Sequence, residues 1–301
     1  MANILITGGS GLVGGALTPA LQREGHSVRW LSRTAGTTKG VRRHAWDIAR
    51  GSIDPEALAG VDHLIHLSGA GIADKRWTEQ RMYELYRSRG GAARLLLKKA
   101  QEHGIRPKSF ISASGIGYYG AVTTDHVFVE NDAPGTDAIG KLTKDWEDAA
   151  DEWASLCRVV KLRTPMVLAR DGGALKRLSA PFRFGLGAAL GTGRQWMPWV
   201  HLDDLIATYT HAVADARMNG AYSVVADEQP HNADFMRAVA RALHRPFFLP
   251  NVPALALRLA LGELSVILLE GSRASGERLA GTSIRFNHNT LASALRQTLA
   301  S

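Results

Sequence analysis

Apolar and polar positions alternate along the first half of the chain in two different periods. ANILIT is a short apolar run with β-branched residues. A glycine turn follows, and then LVGGALTPALQREG, where apolar residues recur at helical spacing. HSVRWLS and VDHLIHLSG read as further strands, and Thr78 to His103 as mostly helical. KSFISAS reads as a strand, KDWEDAADEWASL as a helix with an acidic face, and CRVVKLRTPMVL as a strand. Strands alternating with helices predict an α/β protein. Right-handed crossovers make its parallel sheet doubly wound, with helices on both faces.

The second half is less regular. GGALKRLSAPFRFGLGAALGTGRQW mixes a helix with a glycine-rich loop. HLDDLIATYTHAVADA reads as a helix with an acidic start, GAYSVVA as a strand, and ADFMRAVARAL and NTLASALRQTL as helices. Pro246, Pro250 and Pro253 suggest a connector before a C-terminal unit. The expected division is a first domain over 1–164 and a substrate-binding region over 165–301. Parts of 198–225 return to the first sheet, and a small module starts at about 250.

Composition narrows this only a little. The chain has 301 residues, 45% hydrophobic and 21% charged, ordinary for a globular protein. Cys157 is the single cysteine, so no intrachain disulfide and no cysteine-rich zinc site is expected, which suits a reducing compartment. No targeting segment is visible. The apolar stretch VPALALRLALGELSVILL is broken by Arg258, Gly262 and Glu263, too polar for a membrane span. A cytoplasmic protein without a membrane partner is the expectation. The net charge of +8 is dispersed and no nucleic-acid signature accompanies it, so no nucleic-acid partner is expected. One local bias stands out. Arg158, Lys161, Arg163, Arg170, Lys176, Arg177, Arg183 and Arg194 face Asp171 alone between Arg158 and Val200, a segment that suits either an anion-attracting field or solvated surface.

The strongest motif is TGGSGLVGG, residues 7 to 15, where Gly8, Gly11 and Gly14 are spaced G-x-x-G-x-x-G between a strand and a helix. Glycines permit the tight turn and the close approach of backbone to a pyrophosphate, and the helix amino terminus supplies amide donors. This predicts a Rossmann nucleotide-binding domain. At the end of the second strand an acidic residue would hold the ribose of NAD. Here WLSRTAG offers Ser32 and Arg33 with no acid, which predicts NADP, since a guanidinium forks a 2′-phosphate. Asp47, after the next strand, is expected at the adenine edge.

With HLSGAGIADKRWTEQ, ISASGIGYYG and GRQWMPWVHLDD added to the glycine loop, the chain resembles the extended short-chain dehydrogenase/reductases. More closely it resembles the atypical branch labelled sugar-nucleotide epimerase or cell-division-inhibitor-like. The tail from about Pro250 resembles that branch's small C-terminal domain. The resemblance implies that Gly8, Ser10, Gly11, Leu12 and Val13 line the pyrophosphate and that Arg33 takes the 2′-phosphate. It also implies that Leu67, Ser68 and Gly69 touch the cofactor's ribose, and that Ser114 is the catalytic serine.

One part of that pattern is missing. The superfamily's Tyr-x-x-x-Lys pair puts a tyrosine and a lysine on one helix face, where the lysine charge favours the phenolate. Here the span is Gly140-Lys141-Leu142-Thr143-Lys144, and no tyrosine in the chain has a lysine four residues on. Three substitutes are open: Tyr118 or Tyr119 just beyond Ser114, with Tyr119 favoured; Lys141 or Lys144 with a pKa lowered by desolvation; or a substrate phosphate.

Lys75, Arg76, Trp77, Tyr118, Arg194 and Trp196 are expected to finish a substrate site for an anionic or nucleotide-like small molecule. Trp199 and His201 are expected in the core. His63 and His66 should face opposite sides of their strand and share no metal ion, and no metal is expected. Asp145, Glu147, Asp148, Asp151 and Glu152 read as a solvated helix face. The expected activity is that of an NADP-dependent oxidoreductase or epimerase acting through Ser114, Tyr119 and Lys144. The alternative is an NADP(H)-binding sensor without turnover. Pairing of two copies is left open.

Overall fold

The computed structural model describes residues 1–299. Seven parallel strands form its main sheet: β1 (Asn3–Thr7), β2 (Ser27–Ser32), β3 (Val41–Asp47), β4 (His63–His66), β5 (Ser109–Gly115), β6 (Arg158–Thr164) and β7 (Gly220–Ser223). Across the sheet they run β7-β6-β5-β4-β1-β2-β3, with short antiparallel pieces at Gly36–Thr38 and Ser52–Ile53 on the β3 edge. The order reverses on either side of β1. In such a sheet the crevice beyond the carboxyl ends of the strands at that point is where ligands bind.

Alternation along the strands fills two cores. Ile4, Ile6, Ile65 and Ile111 point to one face and pack on Leu17 of helix α1 (Leu12–Arg23) and on Leu205 and Tyr209. Leu5, Leu64 and Phe110 point to the other and meet Leu96 and Trp153. Both faces are covered, which is why these strands read as nearly continuous apolar runs.

The helical stretch expected from Thr78 to His103 is α2 (Glu79–Tyr86) and α3 (Ala92–Glu102), joined by a wide π turn at Arg87–Gly91. Helix α4 (Ala138–Asp151) begins earlier than KDWEDAAD suggests, because the Asp137 carboxylate caps it by accepting the Gly140 N–H at 2.7 Å. The expected single strand from Cys157 is broken at Pro165. Met166–Leu168 leaves the main sheet and pairs with Trp199–His201. Around that pair a third core forms from Leu168, Phe182, Trp199, Phe235, Leu291 and Leu295, drawing on α5 (Gly173–Arg183), α7 (Asn232–Ala242) and the closing helix Leu291–Leu299. Between these, α6 (Leu202–Ala214) packs on α1, and β7 rejoins the first sheet beside β6.

Candidate functional site

The glycine loop is closed by its own backbone. Gly8 has φ +71°, and a Cβ there would lie 2.8 Å from the Leu67 carbonyl carbon; one on Gly14 would lie 2.5 Å from the Gly8 carbonyl oxygen. Only glycine fits at either place. The Gly11 N–H donates to the Gly8 carbonyl at 3.0 Å, and no side chain caps α1. The first amides of α1 therefore point outward with the positive end of the helix dipole, at Leu12 and Val13. Ser10 is exposed beside them.

Two side chains around this cradle lack protein partners among the described residues. Arg33 is exposed at the end of β2 and makes no ion pair or hydrogen bond. The Ser68 hydroxyl is buried without a partner, although burial of such a group ordinarily demands one. Gly69 is exposed next to it. Ser32 and Asp47 differ. The Ser32 hydroxyl donates to the Thr34 carbonyl, and the Asp47 carboxylate accepts the Ala49 and Arg50 N–H groups at 2.8 and 3.1 Å. Those hydrogen bonds, from Arg50 first, hold the Asp47 carboxyl below the usual range and close a turn of its own rather than aiming it at a ligand.

The floor of the cradle is a buried histidine. His66 Nε2 lies 3.2 Å from the Arg89 carbonyl, which can only accept, so Nε2 carries the proton. Nδ1 then accepts the Thr7 hydroxyl proton at 2.9 Å, and the Thr7 oxygen takes the Leu67 and Ser68 N–H groups at 3.2 Å. Burial pulls the His66 pKa down to about 4, so the neutral ring is the stable form. Arg89 packs above. Burial lowers its guanidinium to about 10, and it donates to the Ala70 carbonyl at 2.9 Å while lying 5.2 Å from the Trp146 ring. His63 does face the opposite side of β4, toward Ser109 at 2.8 Å.

The missing tyrosine has a steric explanation. A Cβ on Gly140 would lie 2.2 Å from the Gly135 carbonyl oxygen, and one on Gly135 would lie 2.5 Å from the Gly120 Cα. Gly120, Gly135 and Gly140 thus stack backbone on backbone, and the Gly135 N–H donates to the Tyr118 carbonyl at 2.8 Å. The turn Ile116–Tyr119 also rests on α4, with Gly117 against Ile139 and Thr143. The space beside Gly140 is occupied by Gly135, whose segment is hydrogen-bonded to the Tyr118 backbone.

The three expected catalytic groups are not assembled as a proton-transfer set. Ser114 is buried and donates its hydroxyl to Glu147 Oε1 at 2.6 Å. Glu147 is not on a solvated face: it is 3% exposed, and Arg163 grips it with Nε and Nη2, both at 2.8 Å, while Lys161 stands 3.6 Å away. Tyr119 belongs to the same network. It is 2% exposed, with its hydroxyl 3.0 Å from Arg163 Nη1 and 3.2 Å from the Ser223 hydroxyl. Burial raises its pKa, the opposite of what a proton donor near neutrality needs, so the preference for Tyr119 is corrected. Lys144 is half exposed and bonded to Asp148 at 2.5 Å, which raises its pKa; a desolvated, weakly basic Lys144 is corrected too. Tyr118 is different. It is half-buried, its hydroxyl bonds no described residue, and the Arg163 guanidinium carbon lies 3.6 Å from its ring centroid.

Beyond the strand ends a cavity of about 950 Å³ opens between the sheet and the C-terminal elements. It meets the cradle directly. Gly172 and Gly173 line it and pack on Leu12 of the glycine loop; Gly71 and Ile116 line it two residues beyond Gly69 and Ser114. The expected clamp is only partly there. Trp196 lines the cavity, stacked at 3.8 Å on His231. Arg76 instead donates to the carbonyls of Leu259 and Ala260 at the end of α8 (Ala254–Leu261), where it caps the helix. Trp77 is buried in a small core with Leu85, Leu142 and Leu264, and Arg194 is exposed outside the cavity. Much of the basic segment is engaged as well: Arg158 with the Ala212 and Met218 carbonyls, Lys161 with Asp151, Arg177 with Asp74. Trp199 and His201 are core residues, and His201 Nδ1 caps α6 by accepting the Asp203 N–H. Among the described residues, His201, Asp203 and His288, and separately His44, Asp54 and Glu56, have metal-like spacing. Neither group lines the cavity.

Fold and cradle together define a nucleotide-binding, doubly wound α/β protein. The model of the NAD dependent epimerase/dehydratase family matches residues 4–225, and a domain of unknown function (DUF1731) matches residues 252–298. The chain belongs to the NAD dependent epimerase/dehydratase family, in line with its resemblance to the extended short-chain dehydrogenase/reductases. It is 38% identical to epimerase family protein Mb2239 of Mycobacterium bovis, over 98% of this chain and 97% of that one. Its fold matches the crystal structure of human epimerase family protein SDR39U1 with NADPH at a TM-score of 0.87 and 31% identity, over 99% of this chain and 100% of that one. It also matches a nucleoside-diphosphate sugar epimerase from Corynebacterium glutamicum, at 0.80 and 28% identity, over 99% of this chain and 58% of that one. No helix among the described residues is long and apolar enough to cross a membrane.

Sequence reasoning missed Glu147, Arg163 and Arg89. Arg163 was accessible to it: Lys161 and Arg163 alternate with Val160 and Leu162 along β6, a period-2 signal for cations facing a helix. Arg89 carries no such signal, since its place depends on the π turn.

Proposed function

We propose that this protein is an NADP(H)-dependent oxidoreductase or epimerase. The observation that carries it is the continuity of the glycine-lined nucleotide cradle with a cavity at the same edge of the sheet. Gly8, Ser10, Gly11, Leu12 and Val13 hold the pyrophosphate, Arg33 the 2′-phosphate, and the orphaned Ser68 hydroxyl, with Leu67 and Gly69, the ribose. The family and the NADPH in the human relative's structure support this assignment. When bound, the cofactor supplies or accepts a hydride at its nicotinamide. Ser114, with its proton held by Glu147, positions the strand end and the Ile116–Tyr119 turn. Tyr118 moves the proton at the substrate oxygen, since its hydroxyl bonds no described residue and its ring is held against the Arg163 guanidinium.

The test pairs NADPH deuterated at its transferable carbon with a small-metabolite extract, read by mass spectrometry. A labelled product is expected. Tyr118→Phe should lower its formation by about a hundredfold or more, with NADPH affinity unchanged. Full activity in that variant would remove Tyr118 from the mechanism. A second reading, an NADP(H) sensor without turnover, draws on the Ser114 hydroxyl proton already being held by Glu147. Firm NADPH binding with no label in any product rules out the reductase and leaves the sensor and an epimerase that returns its hydride to the same molecule.

A further inference from the structure

We infer that the cavity takes an apolar carbonyl compound or the matching alcohol, with a hydrocarbon body and no phosphate or diphosphate. This rests on the hydride-transfer reading above and names its substrate class. The walls are largely hydrocarbon: Ile116, Met166, Leu178, Phe182, Leu190 and Ile267. The charged side chains that reach the cavity are Asp74, Asp171 and Glu270 against Lys176 and Arg177. Arg177 is engaged, donating to Asp74 at 2.7 Å and to the Ala73 carbonyl at 2.8 Å. A substrate diphosphate would enter with at least two negative charges and meet one unpaired cation. Burying it there costs more than the lining returns. Arg76 and Arg194, which would have supplied the missing charge, point elsewhere.

Size and exposure agree with an apolar guest. About 950 Å³ is at the upper end of small-molecule sites, room for a ligand well beyond a short-chain metabolite. At the rim, Leu186 lines the cavity while 63% exposed, so apolar surface continues from the wall to the outside. The polar end of the guest is placed by the cradle side, where Ile116 and Gly71 lead back to Ser114 and Gly69. In the reductive direction the carbonyl carbon gains a hydride from the nicotinamide and its oxygen gains a proton drawn through Tyr118 from water. A ketone or aldehyde becomes an alcohol as NADPH becomes NADP⁺.

The experiment uses the full chain saturated with NADPH and a series of methyl ketones of increasing chain length, with UDP-glucose as the contrasting probe. Binding is read by calorimetry and turnover by NADPH absorbance. The expected result is ketone affinity rising by up to about fourfold per added methylene, the equivalent of about 0.8 kcal/mol, with NADPH oxidised and no UDP-glucose binding. Leu178→Asp should abolish ketone binding and leave NADPH binding intact. Leu186→Asp at the exposed rim serves the same purpose if the first variant does not fold. Ketone binding with that chain-length dependence but no NADPH oxidation upholds the cavity assignment and sinks the hydride-transfer reading. Turnover of UDP-glucose without ketone binding does the reverse. Binding of neither probe overturns the inference.

Discussion

The glycine loop and the strand end at Ser114 lie at the same edge of one sheet, yet they treat their polar groups in opposite ways. Around the loop, Arg33 has no acid beside it, the Ser68 hydroxyl is buried without a partner, and the first amides of α1 are uncapped. Around Ser114, buried side chains are paired in turn: Ser114 with Glu147, Glu147 with Arg163, Arg163 with Tyr119, Tyr119 with Ser223. Buried polar groups in proteins are ordinarily paired. The unpaired Ser68 hydroxyl lies beside an uncapped helix amino terminus, a pairing of features that suits an anionic ligand, whereas the closed network suits scaffold. The first region is the proposed binding site. The second is scaffold, with Tyr118 as the group it leaves free.

Breaking the closed network should give the largest effect. Glu147→Ala leaves Arg163 buried without its counter-charge, and removal of one partner of such a pair costs about 3–5 kcal/mol. Urea unfolding measures that loss, while NADPH affinity of the folded fraction should hardly change. A stable Glu147→Ala protein with lost NADPH binding would reverse the comparison.

The histidine beneath the cradle gives the next largest. Its folded pKa of about 4 lies below the ordinary 6.5, so the unfolded chain binds more protons between those values. Stability is fully present above pH 6.5 and falls as the pH drops toward 4, by about 3 kcal/mol for this group. Thermal unfolding of the wild type against His66→Gln between pH 7 and pH 4.5 isolates it. The variant should be less stable at pH 7 but show a flatter pH dependence. Identical slopes would place the acid sensitivity elsewhere.

Gly140→Tyr is the third. Restoring the superfamily's tyrosine should not restore its chemistry, because the side chain would start 2.2 Å from the Gly135 carbonyl. Overpacking of this kind costs about 1–3 kcal/mol, and the displaced loop should take Tyr118 with it. Lower stability and lower turnover are expected. A gain in turnover would show that the tyrosine was merely lost, not replaced.

Legibility in the sequence follows the range of the interactions. The strand and helix periods from the amino terminus to β5 depend on neighbours two to four residues apart, and those elements lie close to where they are expected. The glycine loop is equally local, and so is the absence of an acid after β2. The start of α4 was hidden because it depends on the Asp137 cap, not on periodicity. The breadth of the strand after Cys157 was overread, because Pro165 splits it into two partnerships. Glu147 looked like one acid among several on a polar face; its burial depends on Arg163 from a strand that no local pattern ties to it. Arg76 and Arg194 look alike as candidate clamp residues, and only the packing of α8 and the glycine-rich loop turns both away from the cavity.

The open region is the proposed NADP(H) site, with Arg33 reading the 2′-phosphate. The measurement that tests it most directly is calorimetric titration of NADPH and NADH into the wild type and Arg33→Ala. The wild type should prefer NADPH, and the variant should lose about ten- to a hundredfold of NADPH affinity, as charge-assisted hydrogen bonds worth roughly 1.5–3 kcal/mol imply, with NADH binding unchanged. Equal binding of the two nucleotides by the wild type, or an equal fall for both in the variant, would contradict the account.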